Sequence, residues 1–342
     1  MKRGHQGVTY KDVAAHAGVS VATVSYVINE GPRPVSSEAR ARVQAAIQAL
    51  GYHPNELARG LRRKQSSTIG LLIPNITNSF YAEMAHELQT YCHRHGFLVL
   101  LCDSDGVRKR EEQYVQALRS KQVEGLVAIP YSDPEELLRP VVEAGIPVVL
   151  LEHEMTDVPC IKIDEFRGGQ LSTQYLIGLG HRRIALLRQR PTSALSSRRV
   201  DGYRQALKDA GLPYDPALVF ECDSSQEAGY RVMRQLLLRG HPPTAVFAHN
   251  DLLAMGVCHA VRQAGLSVPE DVSVVGYDDI SSAGYLNPPL TTVRFPKAEM
   301  GRLAGEMIVR MVGGDTQIDT LTLKVELVIR ASAAAPRWVA SP

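Results

Sequence analysis

The sequence predicts an all-α N-terminal headpiece of helix-turn-helix type, followed by an α/β core of two lobes. Three observations carry this. At 342 residues the chain exceeds what one hydrophobic core usually spans. The first fifty or so residues read as three short helices. From Thr68 onward the apolar runs TIGLLIP, FLVLLCD, GLVAIP, PVVLLE, RIALL, AVFAHND and VSVVGYDD alternate with amphipathic helical segments. That alternation points to parallel sheets with right-handed crossovers, and about 270 residues of it to two lobes in tandem.

Within the head, Thr9 and Asp12 have the spacing of a capping box and open a helix through Lys11 to Ala17, which Gly18 ends. Ser20 is a good N-cap for a second helix from Val21 to about Ile28, with Val24, Val27 and Ile28 on its buried side. After the turn-rich NEGPRPVS, a third helix from about Ser37 to Leu50 places Val43, Ala46, Ile47 and Leu50 on one face, and Gly51 supplies its C-cap. The segment HPNELARGLRRKQSS follows. Its one potential helix, Asn55 to Arg62, is too short to persist alone.

Composition excludes several classes. The chain is 44% hydrophobic and 22% charged with a net charge of +2, as in a soluble globular protein. No apolar run reaches membrane-helix length, and MKRGHQGVTYKDV lacks a signal peptide's apolar core, so a cytoplasmic location is expected. The five cysteines are scattered singly without a CxxC pair, which reads as buried thiols rather than a metal site or disulfide framework. Up to Lys64 there are 10 Lys and Arg against 4 Asp and Glu, which leaves 28 against 32 in the rest. A basic head on a mildly acidic body points to a polyanion at one end only.

Two helices joined by a Gly-containing turn fit a helix-turn-helix, whose second helix enters the DNA major groove by its N-terminal end. The small side chains of Val21, Ala22 and Thr23 permit close approach, and Ser25 and Asn29 can reach phosphates or base edges. A helical hairpin of an ordinary core is the alternative on pattern alone. In the core, open parallel sheets bind ligands beyond the carboxyl ends of their strands, so residues just after each strand are the candidates.

The run VTYKDVAAHAGVSVATVSYVINEGPRPVSSEARARVQAAIQALGYHPNELARGLRRKQSSTIGLLIPN resembles the head of a LacI/GalR family transcriptional regulator. The likeness continues through NSFYAEM, EGLVAIP, GHRRIALL, RRVDGY, AHNDLLAMG, VPEDVSVVGYDD and NPPLTTVRFP. The resemblance implies a headpiece over 1–53, a hinge helix and linker over 54–67, and a periplasmic-binding-protein-like effector core over 68–342. Its first lobe would take about 68–162 and 293–323, its second about 163–292 and 324–334. It implies a homodimer on a palindromic double-stranded operator, controlled by a small molecule such as a sugar, sugar derivative or nucleoside. No cofactor, metal or catalytic residue is expected.

Carried over by position, Thr9, Ser20, Thr23, Ser25 and Asn29 match residues that meet the DNA backbone or hold the recognition helix, while Val21 and Ala22 occupy its variable base-reading positions. Tyr26 stands where the family usually has Arg, which puts the central operator contacts in doubt. In the hinge, Asn55 is the helix cap, and Ala58 and Leu61 match the minor-groove face, Leu61 as the wedge that kinks a base step. Glu152, Arg199, Asn250 and Asp278 match polar effector-contacting positions, and Phe80 and Tyr81 apolar or aromatic ones. Such groups suit paired hydroxyls, or an acidic group at Arg199.

Two departures bear on the ligand. Ser224 and Leu195 stand where the family often has an aromatic ring and a hydroxyl, and Arg188, Gln189 and Arg190 replace a common Gly-Pro, so the added cations could select a sugar acid or phosphate. An enzyme is disfavoured, since GxSxG, HExxH and P-loop motifs are missing, and HRHG at His93 to Gly96 reads as a solvated helix end. The alternatives are a solute-binding protein or a carbohydrate-acting enzyme with a fused DNA-binding head. The segment after Arg330 carries no leucine heptads, which favours a dimer over a tetramer.

Overall fold

The computed structural model describes residues 8–28, 33–52, 66–189 and 194–337, with the backbone alone at 194–196. The chain divides into two compact units, Met1–Ser66 and Ser67–Pro342.

The first unit holds three helices, α1 (Tyr10–Ala17), α2 (Val21–Ile28) and α3 (Ser37–Leu50). At the start of α1 the Asp12 carboxylate accepts from the Thr9 backbone amide at 2.7 Å and from its hydroxyl at 2.6 Å. The carboxylate that faces the positive helix end is thereby held below its usual pKa, chiefly by the Thr9 hydroxyl. Gly18 and Gly51 close α1 and α3 in the left-handed region, at φ 62° and 59°. The Ser20 hydroxyl accepts from the Thr23 amide at 3.1 Å, which caps α2. Val13, Val24 and Val43 are fully buried at the centre of this small core, and Tyr10 meets Tyr52 edge to face.

The second unit contains two six-stranded sheets. The first runs β11 (Leu321–Leu323), β5 (Cys160–Ile163), β4 (Val148–Leu151), β3 (Gly125–Ala128), β1 (Thr68–Ile73) and β2 (Leu98–Asp103). The second runs β12 (Glu326–Val328), β10 (Thr291–Arg294), β9 (Ser273–Tyr277), β8 (Ala245–Ala248), β6 (Ile184–Gln189) and β7 (Val219–Cys222). Every pairing described is parallel except β10 with β12. Strands β3, β4 and β8 are buried along their whole length, which is why GLVA, VVLL and AVFA are unbroken apolar runs.

Helices α4 (Ser79–Arg94), α5 (Arg108–Ser120), α6 (Pro134–Glu143) and α11 (Lys297–Val312) belong to the first sheet's lobe. Helices α7 (Glu165–Gly178), α8 (Ala194–Asp209), α9 (Gln226–Leu237) and α10 (Asp251–Gln263) belong to the second. Among the described residues the chain changes sheets after β5, after β10 and after β11. β10 stays in the second sheet to Arg294, whereas the sequence puts that change at about 292. At this crossover the buried Lys297 donates to the Asp278 carbonyl at 2.8 Å and pairs with Glu83 of α4 at 3.2 Å, so one cation ties the two lobes together. All five cysteines are buried and unlinked, as the sequence suggested.

Candidate effector-binding cleft

A cleft of about 700 Å3 opens where the carboxyl ends of the two sheets face each other. Phe80, Tyr81, Glu152, Arg199, Asn250 and Asp278 all line it, although they span nearly 200 positions of sequence. Phe80 and Tyr81 come from the first turn of α4, which Asn78 caps by accepting from the Phe80 amide at 3.0 Å. Glu152 follows β4 and Asp278 follows β9, one from each lobe. Both sit at positive φ, 58° and 102°, the kind of local strain that clusters at binding sites. Asn250 follows β8, where its Oδ1 accepts from the Leu253 amide at 2.9 Å and caps α10.

Arg199 reaches the cleft from α8. Helices α7 and α8 touch backbone to backbone at two glycines: a Cβ at Gly169 would lie 2.1 Å from the Arg199 carbonyl, and one at Gly202 2.1 Å from the Phe166 carbonyl. That close approach seats Arg199, 7% exposed, against Glu165 in a fork of two hydrogen bonds at 2.6 and 2.8 Å. Its third nitrogen donates to the His249 carbonyl, and its guanidinium lies over the Tyr277 ring, 3.4 Å from the centroid. Burial works against its charge, but Glu165 first, with Tyr277 and Asp278, more than offsets it.

Among the described residues, neither of the two cleft carboxylates, Glu152 and Asp278, has a guanidinium fork of the kind that holds Glu165. Burial first, and then the charge of Glu165, pushes Glu152 up to about 8, with Arg199 opposing. Burial likewise raises Asp278 well above the ordinary range, with Asp251 and Glu152 adding to it and Arg199 and Lys297 opposing. Burial raises the Tyr81 phenol too, with Glu152 and Asp278 adding to the shift. Both cleft carboxyls are therefore held toward their protonated forms.

Sequence reasoning missed Glu165 and His249. Glu165 opens α7, parted from the end of β5 only by the cap Asp164, and His249 follows β8. Asn75, Asp105, Tyr131, Gln189 and Asp223 also line the cleft from strand ends. Position after a strand was the available signal for all of them. Of the cations proposed for an acidic ligand, Arg188 is otherwise engaged, pairing at 2.6 Å with Glu221, its cross-strand neighbour on β7. Arg190 and the Leu195 side chain lie outside the described residues.

In the head, Val21 and Ala22 are exposed at the N-terminal end of α2, with Val21 43% accessible, while Thr23, Ser25 and Tyr26 are half-buried. Thr9 and Ser20 are exposed caps. Asn29, Asn55, Ala58 and Leu61 lie outside the described residues.

A three-helix head with an open recognition-helix end, joined to two α/β lobes that enclose a polar cleft, defines a ligand-responsive DNA-binding regulator. A family model described as bacterial regulatory proteins, lacI family, matches residues 9–55, and one for periplasmic binding proteins and the sugar-binding domain of the LacI family matches 66–331. The chain belongs to the LacI family.

It is 39% identical over 330 residues to the ribose operon repressor of Escherichia coli strain K12, covering 95% of this chain and 99% of the relative. It is 37% identical to the transcriptional repressor PurR of Photorhabdus laumondii, covering 95% and 96%. The Lac repressor dimer bound to operator and the anti-inducer ONPF superposes with a TM-score of 0.84 at 30% identity, covering 96% and 100%. A LacI family regulator from Enterococcus faecium with bound ribose gives 0.68 at 28% identity, covering 78% and 99%. These relatives are regulators rather than enzymes, and the chain is a DNA-binding transcriptional regulator of the same kind. No helix among the described residues is long and apolar enough to cross a membrane.

Proposed function

We propose that the chain is a cytoplasmic repressor that binds a palindromic operator as a homodimer and whose operator affinity is set by a small molecule held between the lobes. The observation that carries this reading is the convergence of Phe80, Tyr81, Glu152, Arg199, Asn250 and Asp278 on one cleft. In it the aromatic residues present apolar surface and the others hydrogen-bonding groups, as a sugar, sugar derivative or nucleoside requires. A neutral ligand suits the cleft better than an acidic one, because Glu165 already occupies the Arg199 fork and Glu221 pairs with Arg188.

On this reading Val21 and Ala22 read base edges, and Thr9, Ser20, Thr23, Ser25, Tyr26 and Asn29 position the recognition helix on the backbone. Residues 54–67 form the hinge, in which Asn55 caps a helix and Ala58 and Leu61 enter the minor groove. Dimerisation is supported by apolar side chains left open on the core: Leu98 and Leu101 on the edge strand β2, 60% and 44% exposed, and Tyr285, 91% exposed.

A fragment of residues 66–342 is expected to fold and bind the effector without binding DNA, since both sheets and their cores lie within it. Thermal shift against sugars and nucleosides, with fluorescence anisotropy on DNA selected by the full chain, checks both halves. Specific DNA binding by the fragment would overturn the division.

A further inference from the structure

We infer that the second-lobe wall of the cleft carries a hydroxyl-reading subsite made by His249 and Ser224, and that the effector is accordingly a polyhydroxylated, sugar-like molecule rather than a flat base. The inference rests on the reading of the cleft as the effector site.

His249 Nδ1 and Ser224 Oγ are buried polar atoms with no hydrogen-bond partner among the described residues, and both residues line the cleft. His249 is 6% exposed, and its main chain is tied on both sides: its amide donates to the Leu187 carbonyl at 2.8 Å, and its carbonyl accepts from Arg199. The ring has little freedom to find another partner. Burial, with the charges of Arg199 and Arg188, keeps the imidazole neutral, so one ring nitrogen donates and the other accepts. Ser224 stands after β7, just before Ser225 caps α9 by accepting from the Ala228 amide at 3.1 Å.

The order β9, β8, β6, β7 places Asp278, His249, Gln189 and Ser224 along successive strand ends. The strand ends along this wall present polar side chains, with Cys222 and Leu252 as its apolar lining. The aromatic carbocycles lining the cleft, Phe80, Tyr81 and Tyr131, all stand on the first lobe. A ring with an apolar C–H face and a rim of hydroxyls complements both walls, since each hydroxyl can donate and accept. A nucleobase would bring its π-face against polar atoms that need in-plane partners, and each one left unpaired costs affinity.

The test is isothermal titration of the full chain with D-ribose, D-xylose, D-glucose, cellobiose, adenosine and adenine, repeated on Ser224→Ala, His249→Phe and Asp278→Asn. His249→Phe keeps a planar ring, somewhat larger, at a position that borders the open cleft, and Ser224→Ala changes a half-buried loop residue, so both are expected to fold. The expected result is that a sugar binds and that each of the first two variants weakens it about tenfold or more. A deoxy analogue that loses affinity for the parent protein should then lose nothing further on the matching variant. A sugar weakened by Asp278→Asn but untouched by both Ser224→Ala and His249→Phe would overturn the subsite and leave the cleft reading standing. Preference for adenine, or no binding by any probe, would also overturn the subsite. A sugar whose affinity none of the three variants changes would overturn the cleft reading itself.

Discussion

Arg199→Ala is expected to destabilise the core by about 3 to 5 kcal/mol and to abolish effector binding, because it strands a buried carboxylate. Glu165 is 6% exposed, and its two oxygens are held by the Arg199 fork. With the guanidinium gone, Glu165 must remain charged in an apolar setting or take up a proton, and both cost stability. The melting temperature should fall by on the order of 10 °C. Arg199→Lys should not rescue it, since an ammonium cannot reproduce the two-pronged geometry. Replacing both partners, Arg199→Met with Glu165→Met, should recover much of the stability, since nothing charged is then left unpaired. Effector binding should stay lost. Calorimetry on the single and double variants separates the two roles, and equal losses of stability in both would show that Glu165 is not the cause.

Glu152→Gln is expected to remove a pH-dependent weakness. In the folded chain this carboxyl holds its proton up to about 8, against a usual value of 4.5. Between those values the unfolded chain binds fewer protons than the native one, so stability falls as pH rises, and the loss is complete above about 8. The variant should therefore melt several degrees higher than the parent at pH 8 and nearly equally at pH 5, with each ~1 kcal/mol giving ~2–4 °C. His249 works in the opposite sense. Its pKa is depressed by burial, so it weakens the fold as pH drops below 6.5. That contribution is common to both proteins and cancels in the difference. Melting curves of the effector-free proteins across pH 5 to 9 provide the check, and a difference independent of pH would mean that Glu152 is ionised throughout.

The legible parts of this fold were those with one dominant physical cause. Strands β1, β3, β4, β8 and β9 are buried on both faces and show as unbroken apolar runs, and the head's helices announce themselves through Asp12, Ser20, Gly18 and Gly51. The strands CIKI, VFEC, TTVR, LTL and ELV lie at a sheet edge or next to one, are short or broken by polar residues, and carry no such signal. In the cleft, single residues after strands were visible, but their partnerships were not. Glu165 and Arg199 stand 34 positions apart, and only the contact of α7 with α8 at Gly169 and Gly202 brings them together. Likewise Arg188 looked like a spare cation until the register of β6 on β7 set Glu221 opposite it.

The central claim is that occupancy of the cleft and affinity for DNA are one coupled equilibrium. It is tested most directly by the affinity of the full chain for a duplex selected from a random pool, measured by fluorescence anisotropy with and without a saturating sugar found by titration. A change of about 5- to 150-fold in operator affinity is expected, matched by an equal change in sugar affinity when operator is present. A sugar that binds in the cleft and leaves operator affinity unaltered would contradict it.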